Sequence, residues 1–207
     1  DEVNRLARDA RRKNPPARVA AYAKQYLNLE RSASEIKVFY GEFVPGQFQT
    51  ADYARAMLST ALSVAPDLID AMAQSRTERS ELLTSSRPPQ VWAVLGEEAL
   101  RRQIGGRHVL REQLKRLRDF ARMPNVTIQV HPFAAGAHAA LGTPFTLLTV
   151  ASTGATIVYV EGLTTADYLK SPHTATYSLA FDRLRVAAAS DNDTLNILDR
   201  AIADLEE

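Results

Sequence analysis

Two acids and one histidine have the placement that acid–base chemistry needs. Glu97 follows an extended run, Gln90–Leu95. Glu161 closes another, Thr156–Glu161, and shares a strand face with Ile157 and Tyr159. Ends of neighbouring strands can converge, so both carboxylates can share a pocket with His138 or Arg102. A carboxylate in a partly apolar pocket orients a ligand or passes a proton. The same acids can instead make structural ion pairs, Glu97 with Arg102 and Glu161 with an arginine of the Arg107–Arg122 stretch. The residue types leave both readings open.

Other chemistries find less support. His108, His131, His138 and His173 are widely separated, and no H-x-x-x-H or H-E-x-x-H occurs, so no metal site is expected. There is no cysteine and no G-x-S-x-G, so neither a thiolate nor a nucleophile elbow is available. No cofactor is expected. Gly105-Gly106 precedes a helix beside Arg101, Arg102 and Arg107, which suits either an anion cradle or a hinge between helices.

These residues need a frame. Val126, Ile128 and Val130 alternate with Thr127, Gln129 and His131, the period of a half-buried strand. Phe145–Val150 and Thr156–Glu161 are β-branched and aromatic runs bounded by Gly142-Thr143-Pro144 and Ser152-Thr153-Gly154. The loop between the first two of these strands, Pro132 to Pro144, is long and rich in small residues. Loops of that length without their own structure are commonly functional. A site is therefore expected there, with Gln49, Trp92, Glu97, Arg102, His138, Phe145, Tyr159 and Glu161 as ligand-binding residues.

Helical periodicity dominates elsewhere. Val3, Leu6, Ala7 and Ala10 share a face in a segment that begins in mid-pattern and ends at Pro15-Pro16. A second helix is expected over Ala17–Leu29, and extended character over Ser34–Val44. Thr50 is a plausible N-cap for the next helix. Leu68, Ile69, Met72, Arg76, Arg79, Leu82 and Leu83 then recur at helical spacing until Arg87-Pro88-Pro89. The clearest helix is Arg107–Arg122, with Leu110, Leu114, Leu117 and Ala121 as its stripe. A helix opened by Pro172 follows, and then one capped by Asp193, whose Leu195, Leu198, Ile202 and Leu205 pack on the core or on a partner helix.

Charge is unevenly spread. The chain carries a net charge of +1, yet Arg101–Arg122 holds eight basic residues against two acidic ones. That helix could be a nucleic-acid patch, but it lacks the exposed aromatics of a stacking platform, and a solvated charged face suits it better. No run approaches a membrane span, Asp1–Asn14 has no apolar stretch of a signal peptide, and the lack of cysteine suits a cytoplasmic setting.

Several stretches together resemble one family. Leu29-Glu30-Arg31-Ser32-Ala33 is followed by Val44-Pro45-Gly46-Gln47-Phe48-Gln49-Thr50-Ala51-Asp52-Tyr53-Ala54-Arg55-Ala56. Later come Glu97 with Leu100-Arg101-Arg102, Pro132-Phe133 with Gly136-Ala137-His138, and Val158-Tyr159-Val160-Glu161-Gly162-Leu163. Their order and spacing resemble the C-terminal domain of actinobacterial WhiJ-like or Scr1-type regulators, which carry an N-terminal XRE-type helix-turn-helix. Gln47-Phe48 departs from the usual pair of leucines, and Lys170 stands where an acid is common.

The resemblance implies transcriptional regulation, with this domain sensing an unknown small-molecule effector and forming a homodimer. It also implies DNA binding through a helix-turn-helix not present in this sequence, and a small partner protein in some members. Residues 1–34 then read as a helical remnant or linker. Residues 35–207 read as the regulatory domain: helical over 47–86, sheet-containing over 90–163 and helical over 172–207. The alternative is a stand-alone enzyme that uses Glu97, Glu161 and His138 for acid–base chemistry on a small molecule. The expected fold is α+β: a helical N-terminal part on a small, mostly antiparallel sheet of four strands (Gln90–Leu95, Val126–His131, Phe145–Val150, Thr156–Glu161), with C-terminal helices.

Overall fold

Alternating apolar residues give most of the sheet its strands, and the helices between them decide how those strands run. In a computed structural model, residues 21–206 except 63 and 164 are described. The expected helix at Val3–Ala10 and the start of the one over Ala17–Leu29 lie outside them. The first described helix is α1 (Ala21–Ser32), followed by β1 (Ala33–Tyr40), α2 (Ala51–Ser59), α3 (Ile69–Glu78) and β2 (Gln90–Gly96). Then come α4 (Glu97–Arg101), α5 (Arg107–Phe120), β3 (Val126–His131), β4 (Phe145–Val150), β5 (Thr156–Glu161) and β6 (Ala166–Leu169). Helices α6 (His173–Ala187) and α7 (Asp191–Ala203) close the chain.

The fold is α+β, but the sheet differs from expectation. It has six strands in the order β3-β2-β1-β4-β5-β6, and it is mixed rather than mostly antiparallel. β1, β2 and β3 run parallel, whereas β4, β5 and β6 pair antiparallel. The parallel half follows from helices α2 to α5, because parallel neighbours need a long crossover. The extended run after Ser34 turns out to be a central strand, flanked by β2 and β4. β6 is a four-residue edge strand, Ala-Asp-Tyr-Leu, too short to show a period.

Strand alternation sorts the core into two faces. Ile36, Val38, Val91, Ala93, Leu95, Ile128 and Val130 point to one, where Leu110, Leu114 and Leu117 of α5 and Leu198 and Ile202 of α7 cover them. Each fully buried leucine of that kind contributes roughly 1.5–3 kcal/mol of transfer free energy. Phe39, Val94, Phe145, Leu147 and Val158 point to the other face, under Phe181 and Leu184 of α6. The stripe on α7 is thus spent on this chain's own core.

Local signals explain the element ends. The Thr50 side chain accepts the Tyr53 N–H at 3.3 Å and caps α2. Gly105 and Gly106 take φ of 76° and 89°, a left-handed path that delivers the chain into α5. The cap of α7 is Ser190, not Asp193. Asp193 sits three residues on, where its N–H donates to Ser190 Oγ (3.2 Å) and its carboxylate accepts the Ser190 hydroxyl (2.7 Å). The outer edge of β3 is blunted as well: Val130 N–H donates to Thr194 Oγ1 (3.1 Å) and Val130 C=O accepts Ala189 N–H (2.8 Å).

Candidate functional site

The route from β3 to β4 creates the first cavity. β3 lies at one edge, whereas β4 lies beyond β2 and β1. The connection must cross three inter-strand spacings, about 14 Å. Residues 132–144 make that crossing over the C-terminal ends of the parallel strands. Ligands bind characteristically outside those ends in sheets of this kind. The loop roofs a cavity of about 460 Å³, within the size range of small-molecule sites.

The floor depends on a close backbone approach. A Cβ on Gly96 would lie 2.6 Å from the Gly41 carbonyl oxygen, so only glycine allows the ends of β1 and β2 to meet there. That carbonyl accepts the Ala99 N–H (3.1 Å), which seats α4 beside the cavity. Glu97 holds the roof: its Oε2 accepts the Phe133 N–H (3.1 Å), and its Oε1 lies 3.4 Å from Arg101. This acid pairs with Arg101 rather than with Arg102.

Aromatic and imidazole rings form the inner wall. His138 stands edge-on to Phe39 (5.1 Å between centroids) and to His131 (4.7 Å). His138 Nδ1 accepts the Ala140 N–H at 3.3 Å. Burial lowers the pKa of both imidazoles, and His131 lowers that of His138 further, so the pair favours the uncharged state. His131 was not anticipated as a site residue, although it ends the polar face of β3 at the loop's first residue.

A second cavity, about 140 Å³, opens on the other face of the sheet between α1, α3 and β5. Tyr26, Tyr40, Tyr159, Arg76, Gln47 and Glu161 contribute to its walls. Beside it lies a buried bidentate pair. Arg79 Nε and Nη2 donate to Glu30 Oε2 and Oε1 at 2.9 and 2.7 Å, and Glu30 is 2% exposed. Burial opposes the Arg79 charge, but the Glu30 carboxylate outweighs it and raises that pKa. Helix α1 is therefore tied into the domain, although its residues fall in the segment expected to be a linker.

The expected site residues divide between these regions. Glu97 and His138 line the strand-end cavity. Gln49, Tyr159 and Glu161 line the second one, so the two carboxylates do not share a pocket. Arg102 lines neither cavity; it pairs with Glu98 and, at 3.5 Å, with Glu42, which line the first. Trp92 and Phe145 line neither cavity. The Trp92 Nε1–H donates to Gln129 Oε1 (2.8 Å) under Arg185, and Phe145 packs against Phe39 and Tyr177.

Arg101 and Arg107, beside Gly105-Gly106, are engaged by Asp204, at 2.9 Å in each case. On α5 itself, Arg118 pairs with Asp199 (3.0 Å) and Arg116 donates to Ser80 (3.0 Å). The basic helix is thus bound into its neighbours. Among the described residues, no group of three or more potential metal ligands comes together, and no helix is long and apolar enough to cross a membrane.

Fold and cavities define an α+β domain with a roofed crevice at the ends of its parallel strands. The chain belongs to the family described as "Domain of unknown function (DUF5753)", which matches residues 23–200. No curated protein and no solved structure matches it.

Proposed function

We propose that this chain is the ligand-sensing and dimerisation domain of an XRE-type transcriptional regulator, with DNA contacts made by a separate helix-turn-helix. The effector occupies the strand-end cavity. One observation supports this reading above the others: the cavity has a mostly apolar and aromatic wall, while its best-placed acid, Glu97, is already committed to the Phe133 N–H and Arg101. A receptor needs such a lined, preformed space; a general base needs a lone pair free for the substrate proton. Because Glu97 also holds the 132–144 loop, an effector that shifts this contact would move the loop and α4 together.

The enzymatic alternative keeps one specific support, the uncharged His131–His138 pair on the cavity wall. The complete gene product, bound to DNA from its own locus, discriminates the two. A small-molecule extract of the source cells should change the midpoint of DNA binding and leave every extract component intact. An unchanged midpoint, with one component consumed, would replace the regulator with the enzyme.

A further inference from the structure

Arg76 is the most informative charge in the second cavity. It comes from α3, on the helix face that packs inward, and it is half-buried. Among the described residues its one hydrogen bond goes to a neutral acceptor, Gln49 Oε1, at 3.1 Å. The neighbouring Arg79 is neutralised by Glu30, and Arg76 has no such counterion in contact. Burial, and next the positive charge of Arg79, lower its pKa, and the Glu161 carboxylate, near but not in contact, offsets them only in part. A half-buried guanidinium with free donors calls for an oxyanion.

A second unsatisfied donor lies behind the same wall. Gln47 is 3% exposed, and its Nε2 has no hydrogen-bond partner. Its orientation is set by Arg79, whose Nη2 donates to Gln47 Oε1 at 3.5 Å; a flipped amide would bring two donors together. Leaving a buried NH2 unpaired costs stability, but this one is shut off from water and so from the cavity. Arg76 is thus the donor that reaches this small space, and Gln47 shapes the wall behind it.

The opposite requirement appears at the end of β5. Glu161 lines the same cavity and is not in salt-bridge contact with Arg76. Its negative charge is felt by the tyrosines: burial, then Glu161, pushes Tyr40 up to about 12 and raises Tyr159 as well. A carboxylate beside tyrosine rings suits an ammonium group. Cation and anion therefore face one aromatic-walled space without closing on each other.

We propose that this cavity binds a small zwitterion of the α-amino-acid class. Its carboxylate lies on Arg76, its ammonium points to Glu161, and its side chain lies toward Leu27, Phe43 and Met72. The site is separate from the strand-end cavity and does not depend on the regulator reading. Phe43 lines both spaces and meets Tyr40 edge-on at 4.9 Å, so the two are neighbours through one aromatic wall.

Thermal unfolding of the full chain, with the proteinogenic L-amino acids added one at a time, tests this. At about 100 times its Kd, a ligand should raise Tm by roughly 5–10 °C. The N-acetyl and C-amide derivatives of the same amino acid should give no shift. Arg76→Gln, which leaves the Glu30–Arg79 pair intact, should abolish the shift, as should Glu161→Gln. The proposal is overturned if no free amino acid raises Tm, or if the shift survives in Arg76→Gln. It is equally overturned if acetate or inorganic phosphate reproduces the full shift, because the site then reads an anion alone.

Discussion

The two cavities are built by opposite means. The strand-end cavity is made of continuous chain: a loop forced to be long, laid over glycine-tight strand ends, with its acids tied to backbone and arginine. The second is made of side chains from α1, the turn before α2, α3 and β5, held by a buried ion pair and lined by groups whose hydrogen bonding is incomplete. The first is a space whose polar groups are mostly satisfied, which suits an apolar or aromatic guest. The second holds a half-buried guanidinium with no counterion in contact, opposite an exposed carboxylate, which suits a small polar one. Topology made the former; side-chain chemistry made the latter.

The largest blow to this contrast falls on the ion pair. Arg79→Ala strands the buried Glu30 carboxylate and should cost about 3–5 kcal/mol in denaturant unfolding. The second cavity should collapse with it, while the strand ends keep their geometry. If stability moves by less than a tenth of that range, the pair is not what joins α1 to the domain.

Gly96→Ala attacks the other side. Its Cβ meets the Gly41 carbonyl, so β1 and β2 must part where α4 is seated. The expected cost is about 1–3 kcal/mol, by analogy with overpacked interiors. Effector binding should weaken more than amino-acid binding in the second cavity. An equal loss at both would mean the cavities are not independent.

Acid should also separate them. His131 and His138 have pKa values below the ordinary 6.5 in the folded chain. As pH falls below 6.5, the unfolded chain takes up protons that the folded one resists, so stability declines until the folded imidazoles protonate too. Tm measured across this range should drop in the wild type. The doubly substituted His131→Asn, His138→Asn chain should show a flatter profile. A profile unchanged by both substitutions would remove the imidazoles from that wall's electrostatics.

The smallest effect is expected at Gln47. Gln47→Met removes an NH2 without a partner but also the carbonyl that accepts the long Arg79 bond (3.5 Å), so the ligand-free Tm should fall by only about a degree or two. Amino-acid binding should hardly change, because the amide NH2 does not reach the cavity. Loss of several degrees without ligand would show that the amide is structural.

The contrast also explains what the sequence could reveal. Loop length is a linear property, so the Pro132–Pro144 segment pointed to the first cavity before any topology was known. Three strands, β3, β4 and β5, stand at their expected bounds because period and turn residues are local. Parallel pairing and the central place of β1 were hidden, since they depend on which strands the helices carry past one another. The second cavity joins residues from positions 23 to 161, and no spacing rule links them. One signal was present: Arg76 and Arg79 fall on the same helical stripe as Met72 and Leu83, and charges on a buried stripe need partners or ligands. Trp92 stood out as the only tryptophan, yet its rarity carried no information about its place under α6.

The most direct test of the strand-end cavity as the effector site is native mass spectrometry of two proteins purified gently from the source organism: the wild type and Ala137→Trp. Ala137 is exposed on the loop and lines the cavity, so an indole there fills the space without disturbing the core. The wild type should carry an added small mass, chemically identical to a molecule of the cell's pool, and the variant should lack it. Apart from a free amino acid held in the second cavity, the same added mass on both proteins, or none on either, would contradict the assignment.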